Sequence, residues 1–379
     1  MRAAPVRSRG PRGVAAAVPP TAITATTAIT ATTAVTAIGR GHRDRRTGAD
    51  RHAAPGHPQH SESEHELSSS SVTVSELASI RARHPEAIAA AWARRVRRPL
   101  LGDSGRLMIV AADHPARGAL AVGGDKLAMA HRAGLLERLT LALSRPGVDG
   151  VLATADVLED LLLLGALENK VVLGSMNRGG LAGAAFELDD RFTGYRAQDI
   201  ERLRLDAGKL LLRIDYEDPG SLRTLESAAR AVDDMAARGL PVFVEPFISR
   251  RAMGKAGTTG EVDKAGKADG AGKVVNDLSA EAVARSVAIA SGLGGTSAYT
   301  WLKLPVTADP EDMARVCETS TLPVVLLGGE VNGEQEAAYE KWRTALSLPT
   351  VRGLVVGRSL LYPADGDVRA AVDTAVGLL

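Results

Sequence analysis

Between Arg106 and Gly357 the chain repeats one pattern: a short, continuously apolar run, then a stretch with helical periodicity or polar turn residues. The runs are RLMIVAA (106–112), GVLAT (150–154), KVVLGS (170–175), KLLLRI (209–214), PVFVEP (241–246), AYTWLKL (298–304), PVVLLG (323–328) and GLVVG (353–357). Their length and their Val, Ile and Leu content predict strands, whereas KLAMAHRAGLLERLTLALSR (126–145), LRTLESAARAVDDMAARG (222–239) and SAEAVARSVAIASGLG (279–294) predict helices. Eight strands alternating with helices predict an α/β fold, a (β/α)8 TIM barrel. The runs are apolar throughout rather than alternating, as a parallel sheet covered on both faces requires. An open doubly wound sheet is the alternative. It calls for a G-x-G-x-x-G turn after its first strand, and AADHPARGAL (111–120) is not one.

The flanks differ from this core. Residues 1–73 hold a Thr/Ala repeat, TAITATTAITATTAVTA (21–37), and a polar tract with five of the eight histidines. Such composition buries too little apolar surface to offset chain entropy and predicts a disordered tail. Its histidines lack ligand spacing, so no metal site is expected. The first acid is Asp44, which gives the tail a superficial likeness to a transit peptide without a secretory apolar core. From Val74, SELASIRARHPEAIAAAWARRV predicts a leading helix with Ser75 as its N-cap, and the barrel domain spans 74–379. Within it, residues 252–277 are rich in Gly, Lys, Asp and Ala and predict a flexible loop insertion after the fifth strand, either an active-site lid or a plain surface loop.

Bulk properties exclude several roles. Lys plus Arg (46) balances Asp plus Glu (45), and clusters such as ARRVRR (93–98) lack the interleaved aromatics of a nucleic-acid stripe. No apolar run approaches the roughly 20 residues needed to span a bilayer. One cysteine, Cys317, rules out an internal disulfide framework and suits a reducing cytoplasm. Neither nucleic acid nor membrane is an expected partner. A small phosphorylated molecule and further copies of the chain are.

In such a barrel the reacting groups sit where strands pass into the following loops. Polar residues punctuate those ends: Asp113 and Arg117 after the first run, Ser175, Asn177 and Arg178 after the third, Arg213 and Asp215 after the fourth, Glu245 at the fifth, Lys303 at the sixth, Gly357 and Arg358 at the eighth. A lysine in an apolar strand end has a specific use. Desolvation lowers an amine's pKa and supplies the neutral nucleophile for a Schiff base, and a nearby carboxylate such as Glu245 can move protons to and from the substrate hydroxyl. A structural ion pair between Lys303 and Glu245 is the competing reading, and Asp113 could equally cap a turn. Lys209 stands at the start of its run, the wrong end for chemistry unless its strand begins earlier. A metal-dependent reaction using the acids is weakly supported, since His114 is the only histidine beside a strand. GGEVNGE (328–334) and VGRSLL (356–361) occupy the two places where many barrels bind phosphate, which nominates Gly328, Gly329, Gly357 and Arg358.

These residues resemble the class I, Schiff-base phosphosugar aldolases of the tagatose-bisphosphate and sulfofructose-phosphate aldolase kind, and more distantly the archaeal-type fructose-bisphosphate aldolases, over about 106–362. Asp113 with RGAL (117–120), KLLLRIDY (209–216), FVEPF (243–247), LKLPV (302–306), LLGGEV and VVGRSLLYP carry the likeness. The resemblance implies the imine-forming amine at Lys303, the proton-transfer carboxylate at Glu245, further catalytic roles for Asp113 and Lys209, and substrate or phosphate contacts from Arg117, Arg178, Gly328, Gly329, Gly357 and Arg358. It implies no cofactor and no metal. The chain departs from the pattern where Pro305 replaces the acid expected two residues after the lysine, and in a longer first loop, differences that bear on substrate rather than reaction class. The whole chain is similar to an actinobacterial group of barrels associated with inositol-catabolism genes, which suggests a deoxy-keto-gluconate phosphate as substrate. A deoxyribose-phosphate aldolase-like enzyme is an alternative, although its pattern has a second lysine on the seventh strand where PVVLLGG has none. A catalytically silent barrel that binds a phosphorylated metabolite is the other.

Overall fold

All eight apolar runs form strands, and each pairs in parallel with its neighbours until the last closes on the first. In the computed structural model, residues 72–252, 272–328 and 335–379 are described, and all lie in one unit, Leu67–Leu379. The predicted tail, but for its last two residues, Gly329 and most of the predicted insertion lie outside the described residues. The strands are β1 (Leu107–Ala111), β2 (Gly150–Ala153), β3 (Val171–Ser175), β4 (Ala207–Ile214), β5 (Val242–Arg251), β6 (Val274–Asn276), β7 (Thr300–Leu304), β8 (Val324–Leu327) and β9 (Val351–Val356). Parallel pairings run β1–β2–β3–β4–β5–β7–β8–β9, and β9 pairs back to β1. This is the predicted (β/α)8 barrel. Helices α1 (Leu77–Arg83), α2 (Glu86–Arg94), α3 (Arg132–Leu143), α4 (Ala155–Leu163), α5 (Ala197–Arg202), α6 (Gly220–Ala236), α7 (Ala280–Ser291), α8 (Pro310–Glu318), α9 (Gln335–Leu346), α10 (Arg358–Leu361) and α11 (Val368–Val376) accompany it. No helix among the described residues is long and apolar enough to cross a membrane.

Side chains alternate across a strand, so each run serves two cores. Leu107, Ile109, Leu152, Leu173, Phe243, Val325 and Val355 fill the barrel interior. Met108, Val110, Val151, Val172, Leu210, Val244, Leu302 and Leu304 pack outward against the helices. Burial on both faces is why the runs lack polar alternation.

Three local expectations change. The leading helix is broken: α1 ends at Arg83 and α2 begins at Glu86, because Pro85 has no amide hydrogen to continue the ladder. Its entry is set by Thr73 rather than Ser75, since the Thr73 amide and hydroxyl both donate to Glu76 Oε2 at 2.7 Å. The helix predicted from 126 starts only at Arg132, where the His131 imidazole accepts from the Gly134 amide at 3.0 Å. Ahead of it, Gly118 takes a left-handed φ of 77° and Val122 bridges Asp125, so this part of the chain folds as a loop. Finally, β5 runs on to Arg251, and β6, at the end of the predicted insertion, pairs antiparallel with Ser249–Arg251. That end of the insertion is strand, not flexible loop.

The basic cluster at 93–98 is a clamp under the barrel. Arg95, 2% exposed, donates to Lys170 O (2.9 Å) and Arg204 O (2.6 Å) and lies 3.4 Å from Asp206 Oδ2. Arg97 Nε donates to Asp206 Oδ1 at 2.9 Å, and Arg98 pairs with Asp149. These partners all precede strands, at the end opposite the catalytic one, and Leu100 and Leu101 pack against the barrel interior from there. Removing one member of a buried ion pair strands its partners. Arg95→Ala should therefore lower unfolding free energy by about 3 kcal/mol in urea titrations, whereas the half-exposed Arg97→Ala should change it by about 1 kcal/mol or less.

Candidate active site

Four charged side chains, three from strands and one from the loop after β1, meet inside the catalytic end of the barrel. Asp113 follows β1, and Lys209, Glu245 and Lys303 share the inward face of their strands with Ala207, Phe243 and Trp301. Lys209 Nζ lies 2.8 Å from Asp113 Oδ2 and 2.7 Å from Glu245 Oε2. Lys303 Nζ donates to Glu245 Oε1 at 2.6 Å. The order Asp113, Lys209, Glu245, Lys303 alternates in sign and sums to zero when all four are ionised. Lys209 belongs here because β4 begins at Ala207, and the stagger between strands aligns Lys209 with Ser175, the last residue of β3. Residue order left open which end of its strand Lys209 occupies; the barrel's register sets it level with the end of β3.

Burial splits the two lysines. Lys209 and Lys303 are 3% and 6% exposed, and desolvation is the largest influence on each, acting against the charged form. At Lys209, two flanking carboxylates overcome it and raise the pKa, holding the ammonium protonated. At Lys303 desolvation wins: Glu245 opposes it, Lys209 adds to it, and the pKa falls. Burial pushes the Glu245 carboxyl upward, but the two ammonium groups outweigh burial and bring it down to about 2. Asp113 is likewise held below the usual carboxylate range, against burial, chiefly by Lys209. His114, beside Asp113, is lowered to about 4 by burial, with Arg358 and both lysines adding to the effect. The wall that makes this a dry site is not Leu302 and Leu304, which face the helices. It is the interior layer beneath, where Phe243 and Trp301 stack with centroids 5.2 Å apart, two residues before Glu245 and Lys303.

The other nominated residues fall into two groups. Arg117 Nη2 lies 3.4 Å from Glu187 Oε1, and the same oxygen accepts from Arg213 Nη2 at 2.7 Å. Arg178 donates to Thr193 Oγ1 (3.1 Å) and to Ala116 O. Both predicted anion binders are thus engaged with loop partners. Asn177 binds Leu211 from both sides of its amide, Oδ1 accepting from the backbone N at 2.8 Å and Nδ2 donating to the O at 2.7 Å, which extends the β3–β4 ladder beside Lys209. In the second group, Gly357 directly follows β9, where a Cβ would lie 2.3 Å from Ala111 O, and Gly328 directly follows β8, where one would lie 2.6 Å from Val356 Cγ1. Close packing alone demands glycine at both. Arg358 opens α10, with Nη1 3.5 Å from Ala121 O. Glu187 and Asp190 were missed by sequence reading. They lie in the 176–196 loop, without strand or helix periodicity to mark them. No group of three or more His, Cys, Asp or Glu side chains suited to a metal occurs among the described residues.

Fold and site together define a (β/α)8 barrel with a buried lysine–carboxylate row at its catalytic end. Residues 105–376 match the Cgl0159-like family, and the chain belongs to it. The structure of Cgl0159 from Corynebacterium glutamicum (Brevibacterium flavum) is 52% identical, with a TM-score of 0.73 over 80% of this chain and 95% of that one. A Schiff-base-forming fructose-1,6-bisphosphate aldolase is 19% identical, with a TM-score of 0.52 over 77% of this chain and 99% of that one. An archaeal fructose-1,6-bisphosphate aldolase, solved with its catalytic lysine bound to the carbinolamine intermediate of the substrate, is 19% identical with a TM-score of 0.51, over 76% and 100%. At that identity the likeness to the aldolases is one of fold. No curated protein matches significantly.

The depressed Glu245 pKa has a thermodynamic consequence. An acid whose folded-state pKa lies below its unfolded value of about 4.5 stabilises the fold above that pH and loses the contribution as pH falls toward about 2. Wild type should be more stable than Glu245→Gln at pH 7, and the gap should close between pH 4.5 and 2 in urea titrations across that range.

Proposed function

We propose that this protein is a class I aldolase, a carbon–carbon lyase that forms or cleaves a bond in a phosphorylated keto-sugar or sugar acid through a Schiff base on Lys303. One observation carries the reading: two buried lysines share a single carboxylate, with one held as ammonium and the other pushed toward the neutral amine. Groups whose environments drive their pKa values apart are the signature of divided acid–base labour. The neutral Lys303 nitrogen adds to the substrate carbonyl, the resulting carbinolamine loses water, and the iminium accepts the electron pair of the adjacent C–C bond as it breaks. Glu245, 2.6 Å from that nitrogen, relays the protons that enter and leave during these steps. Lys209 keeps Glu245 and Asp113 ionised and in place.

The substrate's phosphate end we assign to the turn region after β8 and β9, with Gly328, Gly357 and Arg358. Arg117 and Arg178 we assign to holding the loops that frame the mouth. A deoxy-keto-gluconate phosphate, as in inositol catabolism, is the first substrate to try. The second-lysine pattern of a deoxyribose-phosphate aldolase is not matched, because the second lysine here stands on β4 rather than on the seventh barrel strand.

Borohydride trapping with candidate keto-phosphates, read by intact mass, tests the reading. A reduced adduct should form on the wild type and disappear in Lys303→Met, and Glu245→Gln should lower turnover by about 100- to 10,000-fold. No adduct with any plausible phosphosugar, together with undiminished ligand binding in Lys303→Met, would favour a silent barrel in which Lys303 and Glu245 are a structural pair.

A further inference from the structure

The row of charges depends on where Asp113 stands, and Asp113 is not on a strand. It precedes the short 3-10 turn His114–Arg117, one residue beyond Ala112, whose amide makes a last bond to Leu152 O on β2 at 2.7 Å. What grips the turn is the loop after β3. The Ala182 amide donates to Arg117 O at 2.9 Å, Arg178 donates to Ala116 O, and Arg117 reaches Glu187. Glu187 is 3% exposed and uses both carboxylate oxygens: Oε1 takes Arg213 from the end of β4 and Arg117 from the turn, and Oε2 accepts from the Gly183 amide at 2.9 Å. One buried carboxylate thus joins β4, the strand that carries Lys209, to the turn that directly follows Asp113, through the β3 loop. An acid placed only to neutralise a surface arginine needs neither burial nor three partners from three segments.

We propose that Glu187 is a positioning residue for the lysine row: through Arg117 it holds Asp113 against Lys209, and so governs how Glu245 is shared between Lys209 and Lys303. Glu187 touches none of the reacting groups. If Asp113 leaves Lys209, Glu245 becomes that ammonium's only counter-ion and is drawn away from Lys303. The charged form of Lys303 then loses support from both acids, while Lys209 continues to oppose it. Burial bears most strongly on the ionisation of Lys303, and the charged groups that act with or against it are Glu245, Lys209 and Asp113, with His114 beside Asp113 also within electrostatic reach.

This inference deepens the Schiff-base reading, but its test stands apart from it. Competitive acylation of the folded protein across pH, with peptide mass analysis, reports the ionisation midpoint of Lys303 whether or not any sugar forms an adduct. Relative to wild type, Glu187→Gln should move the Lys303 midpoint down by about one pH unit. Asp113→Asn should move it the same way, and the double variant no further than Asp113→Asn alone. Arg117→Gln breaks the link from its more exposed side and should reproduce the shift even where Glu187→Gln folds poorly. An unmoved midpoint in folded Glu187→Gln or Arg117→Gln overturns the proposal, as does a double-variant shift equal to the sum of the two. Absence of borohydride adducts with a normal midpoint response would instead sink the aldolase reading and leave Glu187's role standing.

Discussion

A single carboxylate shared between two buried lysines is the arrangement on which the catalytic end of this barrel rests. Glu245 lies 2.7 Å from Lys209 and 2.6 Å from Lys303, and Asp113 balances the second positive charge. Taking ions from water costs several kcal/mol each, and only close pairing offsets it. With all four groups ionised the row is neutral in sum, and each charge meets one of opposite sign. Its ends differ. Lys209 is enclosed by two acids, which outweigh burial and raise its pKa, whereas Lys303 terminates the row with one, and there burial, reinforced by Lys209, lowers the pKa.

Holding such a row requires a rigid frame. Phe243 and Trp301 form an apolar floor under Glu245 and Lys303, and Leu107, Ile109 and Val355 are among the side chains that fill the barrel below. At the opposite end Arg95 and Arg97 close on Asp206, and Leu100 and Leu101 close the bottom. The two ends use ions differently. Below, arginines with fixed planar forks tie loops to strand starts; above, lysines, whose protonation responds to burial and to neighbouring acids, stand inside the barrel mouth.

Much of this was legible from residue order. Eight apolar runs with helices between them implied the barrel, and a glutamate in run five and a lysine in run six implied converging heads. Lys209 was obscured because strand stagger, which a linear pattern does not encode, lifts the start of β4 to the level of the end of β3. Arg117 and Arg178 read as anion binders, since a guanidinium near a strand end looks the same whether its partner is a phosphate, a buried carboxylate or a loop carbonyl. Glu187 carried no signal at all: its partners lie 4, 26 and 70 residues away.

Periodicity and composition by themselves determined the class of fold, the order of its strands, and the residue types available at the catalytic end, because hydrophobic burial reads each segment's own pattern. Only the tertiary structure decided which of those residues meet, how Glu245 is divided between two lysines, and that Leu302 and Leu304 serve the outer core while Phe243 and Trp301 line the site. The reason is that ionisation depends on distances between distant segments and on the water excluded around them. Those quantities come into being only when the barrel closes.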